Sequence, residues 1–196
     1  MSGRQAAVPL TITDLTPLTK VLVRAPWEGG TADRLGVGCG RSARQEWGVD
    51  ESVAVLVVGS GPGEWLVLAP PRTEEQVREH LGDLVAALDE LVSVVDLTHG
   101  RALVRLTGAR SRDLLAMECG VDLGDARCAD GTALRSAVSG VSTDLVRDDL
   151  EITDREAALS YLLHCERSSG QYLFDSLLDA GAEFDLDVAG FTTPGI

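Results

Sequence analysis

The sequence is short of several features that point directly to a class of partner. Lys20 is the only lysine among its 196 residues, and the formal net charge is −14. A chain this acidic repels a phosphate backbone, and its arginines form no basic stripe, so nucleic acid is excluded as a partner. The acidic excess is spread along the chain and is most simply a solvated surface.

Long hydrophobic runs and targeting segments are also missing. No eighteen consecutive residues are apolar, so the sequence predicts no membrane span and no membrane partner. The opening stretch, MSGRQAAVPLTITDLTPL, lacks the basic-then-apolar layout and the small-residue cleavage site of a secretory signal. We therefore expect a cytoplasmic protein.

Close-set metal ligands are absent. The four cysteines are irregularly spaced, at Cys39, Cys119, Cys128 and Cys165. No C-x-x-C pair occurs, and the three histidines, His80, His99 and His164, are scattered. Zinc sites usually draw ligands from close-set pairs, so the sequence predicts buried free thiols in a reducing compartment and no metal site.

Two glycine-rich stretches invite a phosphate-binding interpretation, and both fail it. Gly36-x-Gly38-x-Gly40 has no apolar strand before it and no periodic helix after it. The stretch GSGPG (Gly59–Gly63) follows a strand, but a dinucleotide fingerprint requires a third glycine where Glu64 stands. An apolar strand follows instead of a helix, so the pattern predicts a hairpin and no dinucleotide cofactor.

Apolar runs and periodic segments predict a chain of strands and helices. The predicted strands are Lys20–Pro26, Ser52–Gly59, Glu64–Pro70, Val92–Leu97, Ala102–Gly108, Ala133–Val138, Ser142–Asp148 and Ala158–Cys165. Helices are predicted to begin at Thr73, near Ala109 and at Gly170, the last two reaching Glu118 and Phe184. Residues 1–19, Trp27–Asp50 and the tail after Asp187 are predicted to be irregular.

Polar residues mark the starts of two of these helices. Thr73 with Gln76 fits a capping box, and Ser169 is placed to cap the last helix. The helix that begins at Thr73 carries an apolar stripe at steps of three and four, made of Val77, Leu81, Leu84, Val85, Leu88 and Leu91. Such a stripe is typical of a helix that packs on a sheet.

The order of elements approximately repeats. Two passes of β-β-α-β type predict an internally duplicated α+β fold, with helices covering one side of largely antiparallel sheets. We expect one domain of two similar halves over residues 20–188, between an irregular segment (1–19) and a tail (189–196).

No residue stands in a recognisable catalytic frame. There is no G-x-S-x-G and no H-E-x-x-H. Asp96 and His99 flank a turn and could form an acid–base pair, but turn hydrogen bonds to nearby backbone N–H groups explain Asp96 equally well. The residues alone therefore indicate no catalytic, cofactor-binding or metal site.

The loop tryptophans Trp27 and Trp47 could serve either a core or an interface, whereas Trp65 in a hairpin strand is expected in the core.

Several motifs taken in order resemble the folate-binding domain of the aminomethyltransferase of the glycine cleavage system. They are DLTHG, VRLTGARSRDLL and SGVSTDLV, followed by a strand and a helix. The matching positions are Asp96, Thr98, His99, Gly108, Leu114, Leu115, Gly140, Val141, Asp144 and Leu145. In that family an Asp-Asp pair occurs where this chain has Thr143-Asp144, and the first carboxylate serves folate chemistry. A threonine hydroxyl does not ionise near neutral pH, so the resemblance implies a scaffold without its catalytic acid.

Within that superfamily the chain is similar to the gamma subunits of heterotetrameric sarcosine oxidases, over about residues 21–188. The resemblance rests on GPGEWLVLAP, VVDLTHGRALVRLTG and the final YLLH…SLLDAGAEF. It implies a non-catalytic structural subunit that packs with alpha, beta and delta chains. The complex oxidatively demethylates sarcosine to glycine, with hydrogen peroxide and either formaldehyde or 5,10-methylenetetrahydrofolate as products.

The same resemblance implies where the cofactors lie. FAD, FMN, NAD and tetrahydrofolate belong to the alpha and beta chains and zinc to delta, so this chain carries none. The alternative is a stand-alone folate-binding or folate-dependent one-carbon transfer protein.

Overall fold

Two sheets pack face to face, and helices cover the outer face of each. A computed structural model describes residues 8–48, 52–153 and 156–190. In chain order the strands are β1 (Thr11–Asp14), β2 (Thr19–Arg24), β3 (Ser42–Trp47), β4 (Val53–Gly61), β5 (Glu64–Ala69), β6 (Ser93–Asp96), β7 (Arg101–Thr107), β8 (Ala133–Val138), β9 (Val141–Arg147), β10 (Leu150–Thr153), β11 (Glu156–Ala158), β12 (Ser160–Glu166) and β13 (Asp187–Val188). The helices are α1 (Gly30–Leu35), α2 (Glu74–Val85), α3 (Ser111–Glu118) and α4 (Gly170–Gly181).

The two sheets share one topology, which confirms the predicted internal duplication. The five-stranded sheet has the order β3-β4-β5-β2-β6, and the six-stranded sheet has the order β8-β9-β12-β7-β1-β13. The strands of each half can be numbered 1 to 5 along the chain, leaving aside β1 and the small β10–β11 hairpin. Both sheets then have the strand order 2-3-4-1-5. In the six-stranded sheet, β1 is inserted between strands 1 and 5 of this order. All pairings are antiparallel except that of β1 with β13.

Three apolar layers hold the sandwich together. The first lies between the six-stranded sheet and helices α3 and α4, which contribute Leu114, Leu115, Leu173 and Leu177. The second lies between the five-stranded sheet and α2, where Val77 and Leu81 are buried. The third lies between the sheets and is built from Leu56, Val58, Leu66, Leu68, Leu103, Ala133, Val146 and Leu162. Because strand side chains alternate between faces, each sheet supplies both a helix-facing core and this shared core.

The chain crosses between the sheets at two connections, and one side chain joins both. Residues 15–18 lead from β1 to β2, and residues 97–100 lead from β6 to β7. The fully buried Lys20 ammonium donates to the carbonyl oxygens of Thr16 (2.6 Å), Leu18 (2.8 Å) and Thr98 (3.2 Å). The single lysine therefore fixes the two crossovers to each other.

Two regions predicted to be irregular contain regular structure. Within residues 1–19 the prediction was wrong for β1, where Pro9 and Pro17 flank a strand instead of interrupting a helix. Between Trp27 and Asp50 the chain forms α1 and the edge strand β3, whose only buried residue is Trp47. Strand β13 lies at Asp187–Val188, just before the predicted tail of residues 189–196, and pairs with β1. These elements carry little apolar periodicity of their own, and long-range pairing defines them.

The predicted helix signals were only partly right. Neither Thr73 nor Ser169 makes a capping side-chain bond, and the Thr73 hydroxyl donates instead to the Pro70 carbonyl at 2.7 Å. The helix that begins at Glu74 ends at Val85, so the stripe does not continue to Leu91, which is 90% exposed. The other strands and helices agree with the prediction to within two or three residues, apart from the unpredicted β10–β11 hairpin.

Three of the four cysteines lie in the interior. Cys119, Cys128 and Cys165 are buried free thiols as expected, but Cys39 is exposed. Among the described residues, no group of His, Cys, Asp and Glu is arranged to hold a metal ion. No helix in the same ranges is long and apolar enough to span a bilayer.

Candidate functional site

A polar cavity of about 270 Å³ lies between the sheets and draws residues from both. The pleat explains its lining. Val21 and Val23 of β2 face the helix-covered core, so Arg24 lies on the inner face. Likewise Leu163 and Cys165 of β12 face α4, which leaves His164 on the inner side.

A chain of charge-assisted hydrogen bonds runs across this cavity from one sheet to the other. Arg135 on β8 donates through Nε to Asp144 Oδ1 at 2.5 Å and through Nη2 to Glu64 Oε1 at 2.9 Å. Glu64 on β5 also accepts from Arg24 Nε at 3.0 Å. His164 Nδ1 lies 3.4 Å from Asp144 Oδ2. The network therefore links β12, β9 and β8 of one sheet to β5 and β2 of the other.

The electrostatics keep both carboxyl groups ionised. Burial would raise the pKa of Asp144, but the hydrogen bonds from His164 and Arg135 outweigh it and hold that pKa below its usual value. The pKa of Glu64 is lowered in the same way, because Arg135 and Arg24 overcome its desolvation. Burial lowers the pKa of His164 despite the nearby Asp144 carboxylate, so its imidazole is neutral at physiological pH.

A second inter-sheet ion cluster lies at another cavity. Asp148, buried just after β9, accepts from Arg44 of β3 and Arg105 of β7, each at 2.6 Å. Arg105 also donates to the Ser160 hydroxyl at 2.8 Å. This cluster lines a cavity of about 630 Å³ with otherwise largely apolar walls. Ion pairs at two places thus bridge the sheets around their shared apolar core.

The two residues that the sequence offered as an acid–base pair, Asp96 and His99, both lie at the turn between β6 and β7. Asp96 Oδ1 accepts from the Thr98 backbone N–H at 2.8 Å, which is the turn hydrogen bond that competed with the acid–base interpretation. His99 lies exposed in the turn, and neither residue lines the polar cavity. The turn explanation therefore accounts for this pair.

Thr143, which stands where the family has its first carboxylate, does not line the polar cavity. It is fully buried, and its hydroxyl donates to the Val141 carbonyl at 3.0 Å. Asp144 lies on the opposite face of β9, as predicted for adjacent strand residues, and lines the cavity. Of the Thr143-Asp144 pair, only the second residue reaches the cavity.

Sequence reasoning missed most of the cavity residues. Glu64, Arg135 and Ser60 lie in three different strands or hairpins and have no local motif. The available signal was a single polar residue on an apolar strand, such as His164 in YLLHC.

The three tryptophans differ in burial. Trp65 is buried and donates from Nε1 to the Val37 carbonyl at 2.7 Å, whereas Trp27 is 47% exposed. Trp47 is buried and stacks on His80 with 4.5 Å between ring centroids.

Comparison with known proteins identifies the family. The model of the family described as "Sarcosine oxidase, gamma subunit family" matches residues 39–183. The chain belongs to this family. A sarcosine oxidase subunit gamma from Corynebacterium sp. (strain P-1) is 33% identical over 128 residues, which is 63% of this chain and 60% of that relative. The match to this curated relative thus spans less than two thirds of the relative's length.

Solved structures agree on the fold of this gamma-subunit family member. A chain of the heterotetrameric sarcosine oxidase from Corynebacterium sp. U-96, in complex with pyrrole 2-carboxylate, superposes with a TM-score of 0.67 at 20% identity, covering 94% of this chain and 88% of that one. The glycine cleavage system aminomethyltransferase T from Bartonella henselae gives 0.70 at 13% identity, covering 93% of this chain and 48% of that one. The aminomethyltransferase-like fold expected from the sequence is therefore confirmed.

Proposed function

We propose that this chain is the structural gamma subunit of a heterotetrameric sarcosine oxidase. The observation that carries the proposal is the family match over residues 39–183. In this proposal the complex converts sarcosine, oxygen and water into glycine, formaldehyde and hydrogen peroxide, or forms 5,10-methylenetetrahydrofolate when tetrahydrofolate accepts the one-carbon unit. FAD, FMN, NAD and the folate site belong to the alpha and beta subunits and zinc to delta.

The geometry of the polar cavity supports a chain that contributes no catalytic group. Arg135 is bonded to both Asp144 and Glu64, so the ionised groups neutralise one another. The Asp144–His164 pair resembles part of a catalytic triad, but no described hydroxyl or thiol bonds to His164 Nε2. Such a network stabilises the packing of two sheets, which suits a subunit whose task is to hold its shape against larger partners.

Exposed apolar side chains supply surfaces for those partners. The exposed large apolar residues include Trp27 (47% exposed), Leu91 (90%), Met117 (54%) and Tyr172 (60%). Aromatic anchors of this kind are enriched at the centres of protein interfaces. We assign Trp27 to a subunit contact, since it projects from the connection before α1 and Trp47 and Trp65 are committed to the core.

Affinity purification of the tagged chain from native extract tests the proposal. We expect a flavin-yellow assembly with three other subunits that oxidises sarcosine and releases hydrogen peroxide. The variant Trp27→Ala should lower the recovery of the other subunits, whereas the matched variant Trp47→Phe should not. Recovery of the folded chain without larger partners would contradict the proposal.

Titration of the isolated chain with tetrahydrofolate separates the proposal from its alternative. A structural subunit without a folate site is expected to give no saturable binding at micromolar ligand. Saturable binding would favour a stand-alone folate protein.

A further inference from the structure

The outer edge of β3 carries backbone groups that bond to nothing else in the described chain. Strand β3 pairs with β4 in unbroken register, and the Gly59 N–H donates to the Arg41 carbonyl at 2.8 Å. Because hydrogen-bonded and non-hydrogen-bonded positions alternate in an antiparallel pair, every second residue after Arg41 bonds to β4. The N–H and C=O groups of Arg44 and Glu46 therefore point away from the sheet, and no described backbone group bonds to them.

The first part of this edge is already paired within the chain. The Ser42 N–H donates to the Gly131 carbonyl at 2.8 Å, and Arg41 forms an isolated antiparallel bridge with Thr132. The loop before β8 thus lies beside β3 in the position of a further strand. Within the described ranges this pairing does not continue past Ser42, so an open edge begins at Arg44.

Strand β3 also lacks the features that usually protect a sheet edge. Natural edges are short, or carry lysine, proline or a bulge, or are covered by another segment. The opposite edge of the same sheet, β6, spans four residues, whereas β3 spans six without lysine, proline or a shift in register. An edge of this kind is a ready template for a strand from another chain.

A cavity of about 810 Å³ lies beside the open edge. Its lining includes Ser42–Arg44 of β3, Leu150 and Glu151 of β10 and Ala157 of β11. The cavity therefore lies between β3 and the β10–β11 hairpin. A further strand is placed about 4.8 Å from its neighbour, so this space is where it would lie.

The charges at the cavity define the segment that fits it. One arginine and four acidic residues line it: Arg44, Asp130, Asp148, Asp149 and Glu151. Asp148 and Asp149 are each paired with arginine. No described lysine or arginine pairs with Asp130 or Glu151, and Glu46 adds another exposed carboxylate at the edge. A second copy of this chain, with its own net charge of −14, would be repelled, whereas basic side chains would be attracted.

We propose that the open edge of β3, from Arg44 to Glu46, takes an extended basic segment of another subunit as an additional strand of the five-stranded sheet. Main-chain hydrogen bonds to Arg44 and Glu46 supply the affinity. The carboxylates of Glu46, Asp130 and Glu151 select basic side chains. The inference rests on the proposed function, because it requires that the chain assembles with larger subunits.

Hydrogen exchange resolved to single amides tests this pairing in the purified wild-type complex. In the isolated chain we expect the outward-facing amides of Arg44 and Glu46 to exchange freely. In the complex they should exchange more slowly by about tenfold or more, as a newly formed backbone hydrogen bond implies. The amides of Ala43 and Gln45 bond to β4 and should stay protected in both states, which makes them the internal control.

A proline at position 46 tests the backbone contact directly. Glu46→Pro removes an N–H that points away from β4, and proline is tolerated at such edge positions. Glu46→Ala removes the same carboxylate but keeps the N–H, so it is the matched control. In affinity purification of the tagged full-length chain, we expect Glu46→Pro to lower the recovery of the other subunits by about tenfold. Glu46→Ala should lower it by about twofold or less, since one exposed charge contributes little.

The basic character of the segment has its own test. The double variant Asp130→Asn with Glu151→Gln should lower the recovery of the other subunits, and the loss should be largest at low salt, where charges are least screened. Recovery equal to that of the wild type would overturn the assignment of a basic segment.

Failure of this inference is distinguishable from failure of the proposed function. The wild type could recover its partners while the Arg44 and Glu46 amides stay exposed and Glu46→Pro recovers as much as Glu46→Ala. That result would overturn the inference and leave the proposed function standing. Recovery of the wild type without larger partners would contradict both. A dimer of the isolated chain that protects the same amides would assign the edge to a second copy and overturn the choice of partner. If circular dichroism shows that Glu46→Pro fails to fold, the exchange of the wild-type amides decides.

Discussion

Replacing Lys20 by methionine should change the pH dependence of stability in a defined way. The ammonium is fully buried, and burial, reinforced by the nearby Arg167 charge, lowers the pKa of Lys20 from 10.5 to about 8. In the unfolded chain the same amine keeps its proton up to about pH 10.5. Between these values the unfolded state binds more protons, so the free energy of unfolding rises with pH.

The magnitude follows from the shift. A difference of about 2.5 pKa units corresponds to about 3.4 kcal/mol, a cost that is fully present below pH 8 and gone above about pH 10.5. Between about pH 7 and pH 9.5 the wild type should therefore gain about 2 kcal/mol relative to Lys20→Met. The three carbonyls that lose their donor set a constant offset between the curves, because a neutral methionine does not titrate.

Urea denaturation followed by tryptophan fluorescence at several pH values measures this difference. Other groups that titrate in the range, including the buried thiols, are common to both proteins and cancel. Arg41→Met, a change at an exposed cation, should retain the wild-type pH profile. Parallel stability curves for the wild type and Lys20→Met would refute the reasoning, since they would mean that Lys20 titrates alike in both states.

Three further changes test separate parts of the structure. Glu90→Gln should destabilise α1, because the Glu90 carboxylate accepts from the Thr31 hydroxyl, the Thr31 N–H and the Gly30 N–H (2.5 Å). These bonds lower the pKa of Glu90, so the wild type should lose the stabilisation as acid protonates the carboxylate. Thermal melts at pH 7 and pH 4 measure both effects. Asp148→Asn should cost about 3 kcal/mol in urea denaturation, because it leaves the largely buried Arg105 charge without its carboxylate; an unchanged midpoint would contradict a bridging role. Leu177→Ala in the helix-facing core should cost about 2–5 kcal/mol, whereas the exposed Leu91→Ala should stay within about 0.5 kcal/mol, and equal effects would contradict the assigned layers.

The parts of the fold that sequence reasoning predicted are those with a strong local pattern. The hairpin of β4 and β5 and the strands β7 and β12 carry long apolar runs because both of their faces are buried. Strand β3 has no such run, since it lies at a sheet edge with most side chains exposed. Helix α1 depends on Glu90, about sixty residues away in sequence, so a local window holds no signal for it.

The cavity could not be predicted for a related reason. Arg24, Glu64, Arg135, Asp144 and His164 come from five strands. Only the strand order brings them together. Only His164, a polar residue within the apolar run of β12, differs in its local sequence from a solvated surface residue. The replacement of the family's Asp-Asp pair by Thr143-Asp144 was visible in the sequence. Which of the two residues faces the cavity depends on the pleat of β9 within the sheet.

The place of β1 has a consequence for how the molecule is made. Its neighbours in the sheet are β7, from the middle of the chain, and β13, from the end. During synthesis the first repeat can assemble as soon as β6 has emerged, while β1 must wait for β7 and then leave its outer edge unpaired until β13 has emerged as well. A chain that lacks β13 would therefore leave the outer edge of β1 bare and open to a strand from any neighbouring chain.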